Sequence, residues 1–183
     1  MDTMNTMKKF LKPNLVVTII LLIPPLTFLG LIGLLFGTLP ANKRMKKHLA
    51  SLEQRGLLAQ AAAEMSGPNV KQLMKGNLLL TDHFIYCKGM GIVLPYEDAV
   101  WAYKHRQSNS LLFIPIIVQD SLYLATTTEK VRQVAVMGKD KHDEIKEAIL
   151  TIYSKNQNCL IGYNNDTIAA YRQWKKQMKA ASD

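Results

Sequence analysis

The chain has 183 residues, 48% of them hydrophobic, and carries 23 Lys and Arg against 14 Asp and Glu for a net charge of +9. That length accommodates one ordinary domain and an appendage. Two distant cysteines, Cys87 and Cys159, exclude both a disulfide-dense secreted framework and a CxxC metal pair.

The position of the charge matters more than its sum. Lys8, Lys9 and Lys12 precede a long apolar run, and Lys43, Arg44, Lys46 and Lys47 follow it. Beyond Gly56, fifteen Lys and Arg stand against twelve Asp and Glu. A nucleic-acid reader would carry its excess on the face of the folded domain, whereas this excess flanks the greasy segment, as at a membrane surface.

From Pro13 through Asn42 there is no charged residue. As a helix, Leu15 to Leu39 would extend roughly 37 Å, against a hydrocarbon thickness of about 30 Å. One crossing fits; two do not, since Pro24 and Pro25 divide the run into arms too short to span separately. The proline pair removes backbone donors and predicts a kink near the middle. A re-entrant hairpin and a cleaved signal peptide are the alternatives, the latter disfavoured by the poor cleavage site at Leu39-Pro40-Ala41-Asn42. Gly30, Gly33 and Gly37 recur at roughly one helical turn, which predicts a stripe where another helix can pack. The basic cluster at 43–47 outweighs the amino-terminal one, so the large carboxyl-terminal part is expected to face the cytoplasm.

Residues 42–66 predict a basic connector helix with Gly56 as a soft spot, its first turns among anionic headgroups through Lys43, Arg44, Lys46 and Lys47. Ser66-Gly67-Pro68-Asn69 ends it. The period then changes to two. Seven short runs, 77–81, 84–88, 91–95, 99–105, 111–118, 122–127 and 131–137, predict strands of an antiparallel meander. Turn formers such as Ser108-Asn109-Ser110 and Asp120-Ser121 separate most of them. Pro115 predicts an edge or a bulge. Lys139 to Lys155 predicts a helix, with acidic residues at its start and Ile145, Ala148, Ile149 and Ile152 on one stripe. A further strand at 159–163 and a last helix from Asn165 or Asp166 follow, the helix with Ile168, Tyr171, Trp174 and Met178 on one side.

The stretches GNLLLTDHFIY and VLPYEDAVWAY carry Leu80, Thr81, Tyr86, Pro95, Tyr96 and Asp98, with Ala99 and Val100 where an isoleucine is usual. Over about residues 70 to 155 the chain resembles the pleckstrin-homology-like domains of small, single-span bacterial membrane proteins. The resemblance implies a fold, an antiparallel barrel or sandwich closed by a helix, and no mechanism. The strand at 159–163 and the last helix are additions to it.

Chemical motifs are sparse. His48, His83, His105 and His142 fall on different elements without metal-ligand spacing, and no G-x-S-x-G, P-loop or G-x-G-x-x-G occurs. No cofactor, metal or catalytic residue is therefore expected. Tyr96, Trp101, Tyr103, Lys104 and Arg106 combine aromatic faces with cations and predict a partner groove, unless Trp101 and Tyr103 fill the core under the helix at 143–155.

The expected architecture is thus α+β: a basic tail at 1–12, a kinked transmembrane segment at 13–41, a connector helix at 42–66 and a pleckstrin-homology-like domain with a helical extension at 67–183. The expected function is a non-enzymatic, membrane-tethered binding or scaffold module at the inner leaflet, its partners membrane lipid and a protein or a second copy, without nucleic acid. An accessory subunit of a larger membrane complex, or an enzyme with an unrecognised site, is the alternative.

Overall fold

The computed structural model describes residues 39–111, 114–127, 132–138 and 142–180. The predicted tail and nearly all of the predicted span, Gly30, Gly33 and Gly37 among them, lie outside the described residues. Among the described residues, no helix is long and apolar enough to cross a membrane. The chain is α+β and divides into two units, one ending at Leu94 and the other beginning at Pro95.

The first unit sets two helices against a four-stranded sheet. Helix α1 (Leu39–Gln54) buries Ala41, Met45, His48, Leu49 and Leu52, while Lys43, Lys46 and Lys47 stay in water. The 3.6-residue period allows both faces in one helix. The predicted single connector is in fact two helices. Gly56 adopts a left-handed φ of +69°, its N–H reaches Glu53 O at 3.0 Å, and Leu57 N–H reaches Leu52 O at 2.8 Å. This paired closure is a Schellman stop, which only a residue at ease with positive φ accepts readily. Leu57 then packs against the cluster containing Leu52, and α2 (Leu58–Met65) follows.

Strands β1 (Lys71–Leu73), β2 (Leu78–Leu80), β3 (Phe84–Cys87) and β4 (Ile92–Pro95) lie in that order in the sheet, with β1–β2 and β2–β3 antiparallel. β1 was not among the predicted strands; at three residues it is too short for a period of two to register. Leu79 and Tyr86 face each other across β2–β3, and with Phe84 and Val93 they join Met45, Leu49, Leu52, Leu58, Ala61 and Met65 in one core. Burying each such side chain contributes about 1.5–3 kcal/mol. The Tyr86 hydroxyl donates to Ala61 O at 2.7 Å, so the ring is fully buried without an unsatisfied polar atom. The region expected to be a connector is therefore half of a hydrophobic core, and the chain divides at 94/95 rather than at 66/67.

The second unit opens with a 3-10 turn at Tyr96–Asp98 and continues through β5 (Ala99–Leu111), β6 (Ile114–Thr126) and β7 (Arg132–Gly138). Helix α3 (His142–Lys155), β8 (Leu160–Ile161) and α4 (Asn165–Ala180) complete it. Its sheet has the order β7-β6-β5-β8, antiparallel except for the β5–β8 pair, which is parallel. The runs predicted as separate strands at 111–118 and 122–127 form one strand of 13 residues, β6. Asp120 and Ser121 are strand interior rather than turn, and Ser108–Ser110 extend β5. Pro115 pairs with Ser110 beside a register shift at Asn109/Ser110, beyond the reach of β7, whose pairing with β6 begins at Gln119. That placement spares a missing donor.

Helix α3 buries Ile145, Ala148 and Ile152 completely and packs on β5, β6 and β8. Asn156 closes its carboxyl end: the side-chain amide donates to Tyr96 O at 2.9 Å and to Ala99 O at 3.0 Å, pinning the entry of β5.

Candidate functional site

Three places concentrate chemistry. The first is the polar face of α1. Lys43, Lys46 and Lys47 are exposed and Arg44 is half-buried, all within the helix's first two or three turns. Arg44 Nη1 lies 3.9 Å from Met90 Sδ, in the 3-10 turn Lys88–Met90 that joins β3 to β4. Gly91, which ends that turn at φ +61°, sits against α1: a Cβ there would stand 2.5 Å from Ala41 O and 3.0 Å from Met45 Cβ. Backbone-to-backbone approach of this kind admits only glycine. All four predicted membrane-surface residues thus share one helix, bordered by a turn that the sequence does not associate with it.

The second is an aromatic stack in the second unit. Trp101 and Tyr103 have ring centroids 4.5 Å apart; Tyr163 lies parallel to Trp101 at 5.8 Å and 4.9 Å from Tyr103. Tyr123 stacks on Tyr103 at 5.3 Å, His105 meets Tyr123 edge-on at 5.4 Å, and Tyr171 reaches Trp101 at 5.0 Å and Trp174 at 5.8 Å. Offset and edge-on geometries suit the ring quadrupoles. Burial pushes the Tyr103 hydroxyl up to about 12, with Tyr163, Tyr123 and Tyr171 adding to the rise. Trp101 Nε1 donates to Gly162 O at 2.8 Å, so the loop that carries Tyr163 is tied to the ring it covers.

Of the predicted groove, Trp101 and Tyr103 come together, but both are buried, packed against Leu160 of the adjacent strand β8 and Ile168 and Tyr171 of α4 rather than under α3. Tyr96 is buried in the 3-10 turn, Lys104 is half-buried, and Arg106 is engaged with Asp120 by bonds of 2.8 and 2.9 Å. The exposed ring is Tyr163, at 58%. Sequence reasoning noted Tyr171 and Trp174 as a helix stripe but missed Tyr163, Tyr123 and His105. Only the parallel β5–β8 pairing brings residue 163 beside residue 101, and no local pattern signals it.

The third is a carboxylate cradle. Glu64, near the end of α2, accepts from Thr81 Oγ1 at 2.8 Å, Gln60 Nε2 at 2.9 Å and the His83 N–H at 3.0 Å, and His83 Nδ1 lies 2.7 Å from it. Partial burial raises its pKa, but the bonds from Gln60, Thr81 and His83 outweigh that and hold it below the ordinary value. The arrangement fixes the β2–β3 turn to α2, which gives His83 a structural partner that turn chemistry alone does not supply. Among the described residues, no cluster of His, Cys, Asp and Glu is arranged to hold a metal.

No protein-family model, curated protein or solved structure matches the chain.

Proposed function

We propose that the protein is a non-enzymatic, membrane-tethered binding or scaffold module: a single kinked span at 13–41, then a pleckstrin-homology-like domain at the inner leaflet of a bacterial membrane. The observation that carries this reading is the continuity of an uncharged stretch from Pro13 to Asn42 with a basic helix that is itself part of a folded core. A helix whose apolar side is spent on Leu79, Tyr86 and Val93 presents its lysines outward, where anionic headgroups supply the counter-charge. The pleckstrin-homology-like assignment rests on element order: a four-stranded sheet, three successive antiparallel strands and a closing helix, α3. The exposed ring of Tyr163 over its stack, with Leu150 and Tyr153 exposed on α3, supplies apolar surface for a protein partner.

The test is extraction of the full-length chain from bacterial membranes. It should remain in the pellet through high salt and alkaline carbonate and dissolve in detergent, and protease added to intact spheroplasts should leave residues 39–183 uncut. Release by salt alone would overturn the tether, and cleavage of the domain from outside would overturn its orientation.

A further inference from the structure

Helix α4 changes character along its length. Its amino-terminal half is held to the domain: Asn164 Oδ1 accepts from the Thr167 N–H at 2.8 Å, Thr167 Oγ1 accepts from the Asn164 N–H at 3.1 Å, and Ile168 and Tyr171 pack on Trp101, Tyr103 and Ala125. The carboxyl-terminal half runs past that cluster. No residue of α4 is fully buried, Trp174 is half-buried against Tyr171, and Met178 is 45% exposed. At about 100° per residue, Tyr171, Trp174 and Met178 share an apolar stripe about 60° wide. Arg172, Lys175 and Lys176, all exposed, fill an adjoining arc of about 100°. Arg172 stands at i+3 and i+4 from the two lysines, a spacing at which like charges destabilise a helix in water. No acidic residue lies between Thr167 and Ala180 to offset them.

We infer that the carboxyl-terminal half of α4 is an interfacial helix that docks on anionic phospholipid, with Trp174 and Met178 at the boundary of headgroups and acyl chains and Arg172, Lys175 and Lys176 on the headgroup phosphates. The inference rests on the tether proposed above, which holds the chain at a leaflet and so raises the effective concentration of lipid at this helix. Charge and shape together select the partner. Cations bordering an apolar stripe suit a surface that is anionic outside and apolar inside, because long basic side chains reach back to the headgroups while the stripe sinks in. A nucleic acid would neutralise the same cations and leave Met178 in water. The helix macrodipole does not account for the cluster: its effect is confined to the last turn, and Arg172 lies about two turns before Ala180. An anionic surface instead relieves the repulsion among the three cations, each of which adds to the attachment. Since Ile168 and Tyr171 fix α4 to the sheet, docking of the helix also holds the second unit against the leaflet.

The test uses the full-length chain carrying Gln177→Cys, an exposed position of α4 outside both the apolar stripe and the cationic arc. It is labelled with bimane and reconstituted into phosphatidylcholine vesicles with or without phosphatidylglycerol, each containing a headgroup nitroxide lipid. Cys87 and Cys159 are buried with their thiols pushed up to about 12, so they stay unlabelled in the folded protein. Quenching should deepen in the anionic vesicles and relax in high salt. Adding Lys175→Gln and Lys176→Gln should lower the docked-to-free ratio by about fivefold for each cation removed, whereas Lys175→Arg with Lys176→Arg should keep it. Met178→Ser should weaken docking with all three cations in place. Equal quenching in neutral and anionic vesicles, or no difference between the glutamine and arginine pairs, overturns the inference while leaving the tether intact. A bimane response to added RNA in place of one to phosphatidylglycerol overturns it in favour of a nucleic-acid partner. Failure of the labelled protein to float with either vesicle overturns the tether itself.

Discussion

Arg106 and Asp120 face each other directly across the β5–β6 ladder, joined by two hydrogen bonds of 2.8 and 2.9 Å, with the carboxylate fully buried and the guanidinium half-exposed. The pair explains why Asp120-Ser121 is not a turn: an acid and a hydroxyl inside a strand are tolerated when a bidentate partner stands opposite. Arg106→Ala should lower the midpoint of thermal unfolding clearly, because a buried charge loses its partner, whereas Arg106→Ala with Asp120→Ala should recover much of the loss. Thermal melts of the three variants check it; a double variant no better than the single would count against the pairing as the cause.

Gly91 should be the least replaceable of the described glycines in the first unit. Gly91→Ala combines a left-handed φ with a 2.5 Å approach to Ala41 O and is expected to cost about 1–3 kcal/mol. Gly89→Ala, two residues away with open space around it, should stay within about 0.5 kcal/mol of the parent. Denaturant unfolding of both variants measures the contrast.

The Glu64 cradle sets a pH limit. Its pKa is held below the ordinary 4.5, so the stability it confers is present above that value and is lost as pH falls through the folded-state pKa. Glu64→Gln should cost about 2 kcal/mol at neutral pH, for loss of the charged acceptor, and should flatten the acid limb of the stability profile. Unfolding midpoints measured between neutral pH and the onset of acid denaturation decide it, and an unchanged acid limb would show that another carboxylate controls it.

Tyr163 covers Trp101. In a Trp174→Phe background, Tyr163→Ala should shift the remaining tryptophan emission to the red and cost about 1 kcal/mol, the worth of a ring pair at a partly exposed site. Emission that stays blue would mean that β8 and α4 alone keep water from Trp101.

Local pattern carried a good deal of this protein. The helices at 142–155 and 165–180, the strands at 78–80, 84–87 and 92–95, and the end of α2 at Ser66 follow from residue spacing and turn chemistry that act over a few residues. The candidate site was legible only in pieces. Lys43, Arg44, Lys46 and Lys47 announced a surface, and Trp101 and Tyr103 announced an aromatic strand, but their neighbours did not. Asp120 looked like a turn residue because its partner, Arg106, is fourteen positions away. Gly56 looked like a weak point because a Schellman stop differs from a flexible joint only once Leu57 has a core to enter.

By itself, the sequence determined the alternation of apolar and polar faces, the uncharged run and the basic cluster that follows it, since these depend on covalent order and side-chain chemistry alone. Only the tertiary structure decided that α1 is core rather than connector, that Tyr163 rests on Trp101, and that Lys88 stands beside Arg44's helix. Those pairings join residues tens of positions apart, and an apolar stripe specifies that it must be covered without specifying by what.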